Sequence, residues 1–352
     1  MKLVRTVAVA IAALAGCATS KPPSPAASTA PAAPAASAVH AIALPGAPAD
    51  GVFMDYLAYD RAHHRVWVPA GNTGRVDVVT VPGGEVAEVA GFPTKEMERR
   101  GKKRIVGPSS ATVGDGVVYV GNRGDSTVCA VDATSLQRGA CVTLPSMPDG
   151  LAWVASQKEV WVTTPRDKSI TILDASAAGA LTVKQKMSFD GEPEGYAVDD
   201  ARGLFYTNLE DKDRTLQIDA KTKTVQSTWL PGCGEDGPKG LALDHAASFL
   251  FVACADKVKV LDTAHAGREL SSLATGDGVD NIDYVEARKQ LFAGAARAAK
   301  LTIATVAPNG TLTTAAVIPT ATGARNPVAT DDGTAYLTDS PEGKILVVPP
   351  AR

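Results

Sequence analysis

Aromatic residues make up only 5% of this 352-residue chain, so any core it builds is mostly Val, Leu, Ile and Ala. Basic residues are not in excess: Lys+Arg 35 stand against Asp+Glu 38, a formal net charge of -3, which excludes the electrostatic footprint of a nucleic-acid partner. Cys-x-x-Cys and Cys-x-x-Cys-His are absent, so redox and haem-attachment chemistry have no motif. His-x-x-x-His, His-x-Glu-x-x-His and Gly-x-Ser-x-Gly are absent too, which leaves zinc hydrolysis and a serine nucleophile without a signature. No long apolar run exists either: Val7 to Ala15 is too short to span a bilayer.

That short run follows Lys2 and Arg5, the order of a secretory signal. It ends Leu14-Ala15-Gly16-Cys17, which resembles the lipobox of bacterial lipoproteins. The resemblance implies a signal peptide over 1–16 and a diacylglyceryl group on the thiol of Cys17, with the membrane as a partner through that lipid. The other reading is an ordinary signal peptide with an incidental Cys. Ala18 after the Cys resembles lipoproteins sent on to the outer membrane, so the expected location is the cell envelope, at the outer membrane and facing the periplasm. Residues 17–38 are almost wholly Ala, Pro, Ser, Thr and Lys, a tether. Extended at about 3.1 Å per residue, it reaches roughly 60 Å.

After residue 50 one pattern recurs, clearest in Met147 to Ala175. A polar residue and a small one open it (Asp149, Gly150). A short apolar run follows, then a polar turn, a second run, a loop, and a third run ending in Asp174. Runs this short between turn residues read as strands. Aligned on the end of the first strand, the copies fall at Asp60, Val113, Val154, Asp199, Asp244, Val285 and Asp331, between 41 and 53 residues apart. That spacing fits four-stranded propeller blades. The expected architecture is all-β, a seven-bladed β-propeller of antiparallel blades over 39–350. The last copy has three strands, and Val39 to Pro45 resembles the missing fourth, so Val39 to Leu44, an N-terminal strand, is expected to close the ring against Ile345 to Val348.

The copies resemble the bacterial YncE-like, YVTN-repeat propellers. The stretches that carry this are Asp55 to Asp60 with Arg65-Val66-Trp67-Val68, Val118 to Asn122, and Phe205 to Asn208 with Leu216 to Asp219. The Trp-Asp pairs of WD40 blades and the paired glycines of kelch blades are missing at the matching places. The resemblance implies a fold and no single activity, because members range from scaffolds to lactonases.

Four cysteines remain besides Cys17. Cys129 and Cys141 fall on neighbouring strands of one blade, while Cys233 and Cys254 flank a strand pair at one rim. The expected disulfides are Cys129 with Cys141 and Cys233 with Cys254, against free buried thiols.

Innermost propeller strands line the central channel, and their first residues face its mouth. Here those are Asp55, Ser109, Asp149, Glu194, Lys239, Asp280 and Asn326, with Asp283 and Arg325 close by. Seven polar residues at an axis can bind a small polar ligand or simply hold water. Propeller lactonases of the SMP-30 type hold a divalent ion with Glu, Asn and Asp. Glu194, Asp149, Asp280 and Asn208 offer such oxygens for a cation such as calcium, although that family's motifs are not reproduced and Lys239 opposes a cation. The His and Glu pairing of streptogramin-lyase propellers is not matched either, and the histidines, His63, His64 and His245 among them, read as solvent-exposed turn residues.

The insertion Thr94 to Arg104 explains the longest interval. Its Arg99, Arg100, Lys102, Lys103 and Arg104, with Arg123, Arg166 and Lys168 from loops on the same rim, form either a basic collar for an anionic partner or a flexible solvated loop. The expectation is an envelope-anchored propeller that acts as a binding scaffold for an envelope protein, a polysaccharide or a small polar ligand. A metal-dependent hydrolase using the acidic ring is the alternative. No cofactor or resident metal is expected under the first reading.

Overall fold

The computed structural model describes residues 39–99, 101–177 and 180–351. The signal segment, Cys17, the tether and Arg100 fall outside these, as do the side chains of Arg99 and Lys102. Among the described residues no helix is long and apolar enough to cross a membrane.

Each repeat forms one four-stranded antiparallel sheet, and seven such sheets follow one another with an added two-stranded hairpin. Blade 3 is representative: Leu151–Val154, Glu159–Thr164, Ser169–Asp174 and Thr182–Ser188, paired in that order. The innermost strands touch those of the next blade all the way round, and blade 1 meets both blade 2 and blade 7. The structure therefore is a closed seven-bladed ring.

Apolar residues fill the spaces between blades. In the second strand of blade 2, Val118 and Val120 pack toward blade 1 while Tyr119 packs toward blade 3. In blade 3, Val160 and Val162 face back to blade 2 and Trp161 faces blade 4. Strand side chains alternate between faces, and here both faces are buried, so these strands read as continuous apolar runs. The outermost strands have one solvent side, and Arg138–Thr143 is accordingly mostly exposed.

His40–Ala43 pairs antiparallel with Lys344–Val348 and completes blade 7, with Ile42 opposite Ile345. Leu44 just beyond it is 3% exposed and joins the apolar layer between blades 7 and 1. The two disulfides pair as expected, Cys129–Cys141 and Cys233–Cys254. The largest shift in an innermost strand's end is in blade 7, where the strand stops at Ala329 instead of Asp331, because Thr330 to Gly333 form a turn closed on the Asp332 side chain.

The insertion is ordered as a β-hairpin, Lys95–Arg99 with Lys102–Val106. This corrects the flexible-loop reading, and the cause lies in the alternation of its side chains. Met97, Arg104 and Val106 share the face toward the channel mouth, while Lys103 and Ile105 share the other.

Candidate functional site

Backbone irregularities aim the mouth residues. The innermost strands of blades 2, 4, 6 and 7 each carry a register shift at their mouth ends. Such bulges bend a strand and redirect its side chains. In blade 4 the extra residue is Gly195, at φ 63, where an added Cβ would lie 2.2 Å from the Lys239 carbonyl. Only Gly fits there, and it leaves Glu194 directed into the mouth. In blade 2 the extra residue is Ser109, which is fully buried. Ser109 therefore belongs to the wall, contrary to its expected place in the ring.

The other ring residues converge, most of them as ion pairs, Asn326 and Glu194 through hydrogen bonds. Arg123, in the turn after the second strand of blade 2, donates to Asp55 Oδ2 at 2.9 Å and to Asp149 Oδ1, and its Nε donates to the Pro148 carbonyl at 3.2 Å. Its guanidinium carbon lies 5.4 Å from the centre of the Phe53 ring. Expected on a basic collar, Arg123 instead sits inside, because two buried carboxylates require a counter-charge. Arg325 pairs with Asp280 at 2.8 Å. Asn326, in the left-handed region at φ 51, donates from Nδ2 to Asp55 Oδ1 at 3.1 Å and to Asp280 Oδ2 at 3.4 Å. Lys239 reaches sideways to Glu210.

Tyr56 of blade 1 crosses the axis and donates to Glu194 Oε1 of blade 4 at 3.1 Å. Its ring stacks on Tyr196 at 6.0 Å, so two tyrosines floor the mouth. Asp283 lies below this floor, in a smaller cavity of about 130 Å³, and not at the mouth.

Burial pushes the Asp55 carboxyl up to about 6; Arg123 pulls the other way and Asp280 adds to the rise. Glu194 stands well above the ordinary carboxylate range, first through burial and then through Asp149 and Asp280. Burial opposes the charge on Arg123, but Asp149 and Asp55 outweigh it and hold the guanidinium above its ordinary value.

Above the floor lies an axial cavity of about 710 Å³ to which every blade contributes, among others through Asp55, Arg123, Asp149, Glu194, Lys239 and Asp280, and Arg325 of blade 7. Beside it, under the hairpin, a pocket of about 320 Å³ opens over blades 3 and 4. A divalent ion needs several carboxylate oxygens at once. Here Asp55, Asp149 and Asp280 already face guanidinium groups, and Asn208 is consumed internally, donating to the Lys239 carbonyl at 2.6 Å and accepting from Thr215. Among the described residues no group of three or more His, Cys, Asp or Glu side chains is placed to hold a metal.

The collar is thinner than expected. Lys103 pairs with Glu96 at 2.8 Å and Lys168 with Asp211 at 3.3 Å, while Arg104 lies over Phe53 and Arg166 is exposed. On the opposite rim His63 is not a free solvent residue: its Nδ1 meets Asp60 at 2.7 Å and its Nε2 meets Thr134 at 3.0 Å.

Phe53, Met97, Met147 and Glu210 line the site without having been singled out in the sequence. Glu210 had a signal available. It is the first residue past a second strand, the same place in the repeat as Arg123 and Pro165.

No protein-family model matches the chain, and no curated protein matches it in sequence. Among solved structures it is similar to a chain in the crystal structure of the mitotic checkpoint complex (TM-score 0.71, 15% identity, 99% of this chain and 100% of that one). It is similar to streptogramin B lyase (TM-score 0.68, 12% identity, 88% and 96%). It is also similar to a chain of Kuenenia stuttgartiensis hydrazine synthase (TM-score 0.67, 14% identity, 86% and 96%). These likenesses define the class, a seven-bladed β-propeller; at such identities they carry the fold alone.

Proposed function

We propose that this chain is an envelope-anchored binding propeller, held to the membrane by a lipid on Cys17, and that its working surface is the loop rim around the channel mouth. One observation carries the reading: all seven blades supply charged or polar side chains, or the backbone beside them, to a single axial cavity of about 710 Å³. A cavity of this size, with convergent polar groups on a rigid scaffold, suits recognition of a small polar ligand.

A melting-temperature screen against amino acids, sugars, organic anions and cations tests it. At least one compound stabilises the wild type, by mass action, and does so less in Glu194→Gln. A full panel without a shift, or a shift untouched by the mouth substitution, contradicts the reading. Calcium chloride in the same screen tests the metal-dependent hydrolase alternative, which requires a stabilising, stoichiometric divalent ion. Anchoring is tested by phase separation in detergent: Cys17→Ala moves the protein to the aqueous phase, and an unchanged partition contradicts a lipid anchor.

A further inference from the structure

The pocket under the hairpin differs in chemistry from the axial cavity beside it. Its walls include Phe53, Met97, Val106, Met147, Pro148 and Pro165, an apolar lining that the axial cavity largely lacks. Two of these, Met97 and Val106, come from the hairpin, so the hairpin forms one wall of this pocket.

Its charges divide into those already answered and those not. Arg123 is taken by Asp55 and Asp149, and Glu210 by Lys239. Arg104 and Arg166 have no carboxylate partner among the described residues; Arg104 lies 5.7 Å from the centre of the Phe53 ring and Arg166 is exposed. On the other side, Glu194 receives only the Tyr56 hydroxyl, and Glu192 has no cationic partner among the described residues. Asp149 is 8% exposed and lines both cavities, and its Oδ2 has no hydrogen-bond partner. An anion alone would bring its charge against Glu192 and the unpartnered Oδ2 of Asp149, and a cation alone would meet Arg104 and Arg166. A ligand with both charges and an apolar body meets the acidic side, the basic side and the apolar wall at once.

Resting on the mouth-binding reading above, we propose that this pocket takes a zwitterionic α-amino compound, a free amino acid or a short peptide. The ammonium lies at Glu194, the carboxylate at Arg104 and Arg166, and the apolar side chain lies against Met97 and Met147. The pair at Glu194 discriminates most, because losing its partner leaves an enclosed carboxylate without one, while the exposed Arg104 and Arg166 add charge-assisted bonds to the carboxylate of the ligand.

Proton uptake or release adds a signature that packing alone does not produce. In the free protein Glu194 holds its proton to higher pH than an ordinary carboxyl, with Asp149, Asp280, Glu210 and Asp55 facing it. An ammonium group beside it favours the ionised form, so binding releases a proton, and affinity rises with pH up to the midpoint of the free group.

Calorimetry on the intact protein tests this with L-leucine, L-leucyl-L-leucine, 3-methylbutylamine (leucine without its carboxylate) and 4-methylpentanoate (leucine without its ammonium). At least one zwitterion binds, with each truncated probe weaker by about ten- to a hundredfold. The observed heat depends on the ionisation enthalpy of the buffer, as proton release requires. Glu194→Gln mimics the protonated acid and keeps the bond from Tyr56, so it folds, and it melts as the wild type does at a pH where Glu194 carries its proton; it abolishes proton release and weakens the zwitterion. Arg166→Ala weakens the zwitterion and leaves the amine unchanged. Leucine and the dipeptide separate a free amino acid from a peptide. An amine or carboxylate that binds as tightly as the zwitterion overturns the proposal. So does silence from all four probes while another compound of the screen binds at the mouth, which leaves the mouth reading standing. No binding by any compound removes both.

Discussion

Replacing Arg123 by Met leaves Asp55 and Asp149, each 8% exposed, without their shared counter-charge. Breaking a buried pair from one side costs roughly 3 kcal/mol or more, which urea unfolding of Arg123→Met should register; a loss under about 1 kcal/mol contradicts the ion-pair geometry. Acid acts in the opposite direction. Asp55, at about 6, and Glu194 both titrate higher in the folded protein than in the unfolded chain; for Asp55 the folded state binds the extra proton between about pH 4 and 6, so stability falls as pH rises, and Glu194 acts in the same direction. Wild type should therefore gain stability between about pH 6.5 and pH 4.5 relative to the Asp55→Asn, Glu194→Gln double variant, and parallel pH profiles of the two would contradict this. The ring positions were legible as the first residues of repeated strands. Their partners were not, since a turn residue such as Arg123 carries no mark of which way it points. Ser109 misled for a related reason: an extra bulge residue turns it into the wall, and a repeat alignment counts residues without seeing register.

The closing strand is the element on which the ring most depends. Without residues 39–45, the blade 7 strand Lys344–Val348 becomes an open edge and Leu44 no longer covers the layer between blades 7 and 1. The melting temperature should drop by about 10 °C or more, and an unchanged melt would contradict closure. The Cys233–Cys254 bridge closes a loop with sequence separation 21, worth about 3 kcal/mol by restriction of the unfolded chain. Cys233→Ser with Cys254→Ser should lose about that much in denaturant melts, and equal stability in the oxidised wild type and the variant counts against the bridge. Strand register made both disulfides and the closing strand readable in advance. The hairpin was not readable, because its composition is that of a solvated charge run. Only the alternation that puts Met97, Arg104 and Val106 on one face distinguishes it, and that alternation matters only once the mouth beneath supplies a surface.

At the scale of the molecule, the fold was written in the repeat itself: about 45 residues per unit, strands apolar on both sides, and a fourth strand supplied from the other end. Inter-blade packing requires such strands, which is why period and apolarity together specified the ring. Function was less legible, because the mouth is assembled from residues far apart in sequence whose charges are mostly spent on one another. The most direct test of the central claim is backbone hydrogen exchange with and without the best stabilising compound of the screen. The mouth reading predicts slowed exchange in the segments around Phe53, Arg123, Glu194 and Asp280, with none around His63 and His245 on the opposite rim. Protection centred on that opposite rim, or spread evenly over all blades, would contradict it.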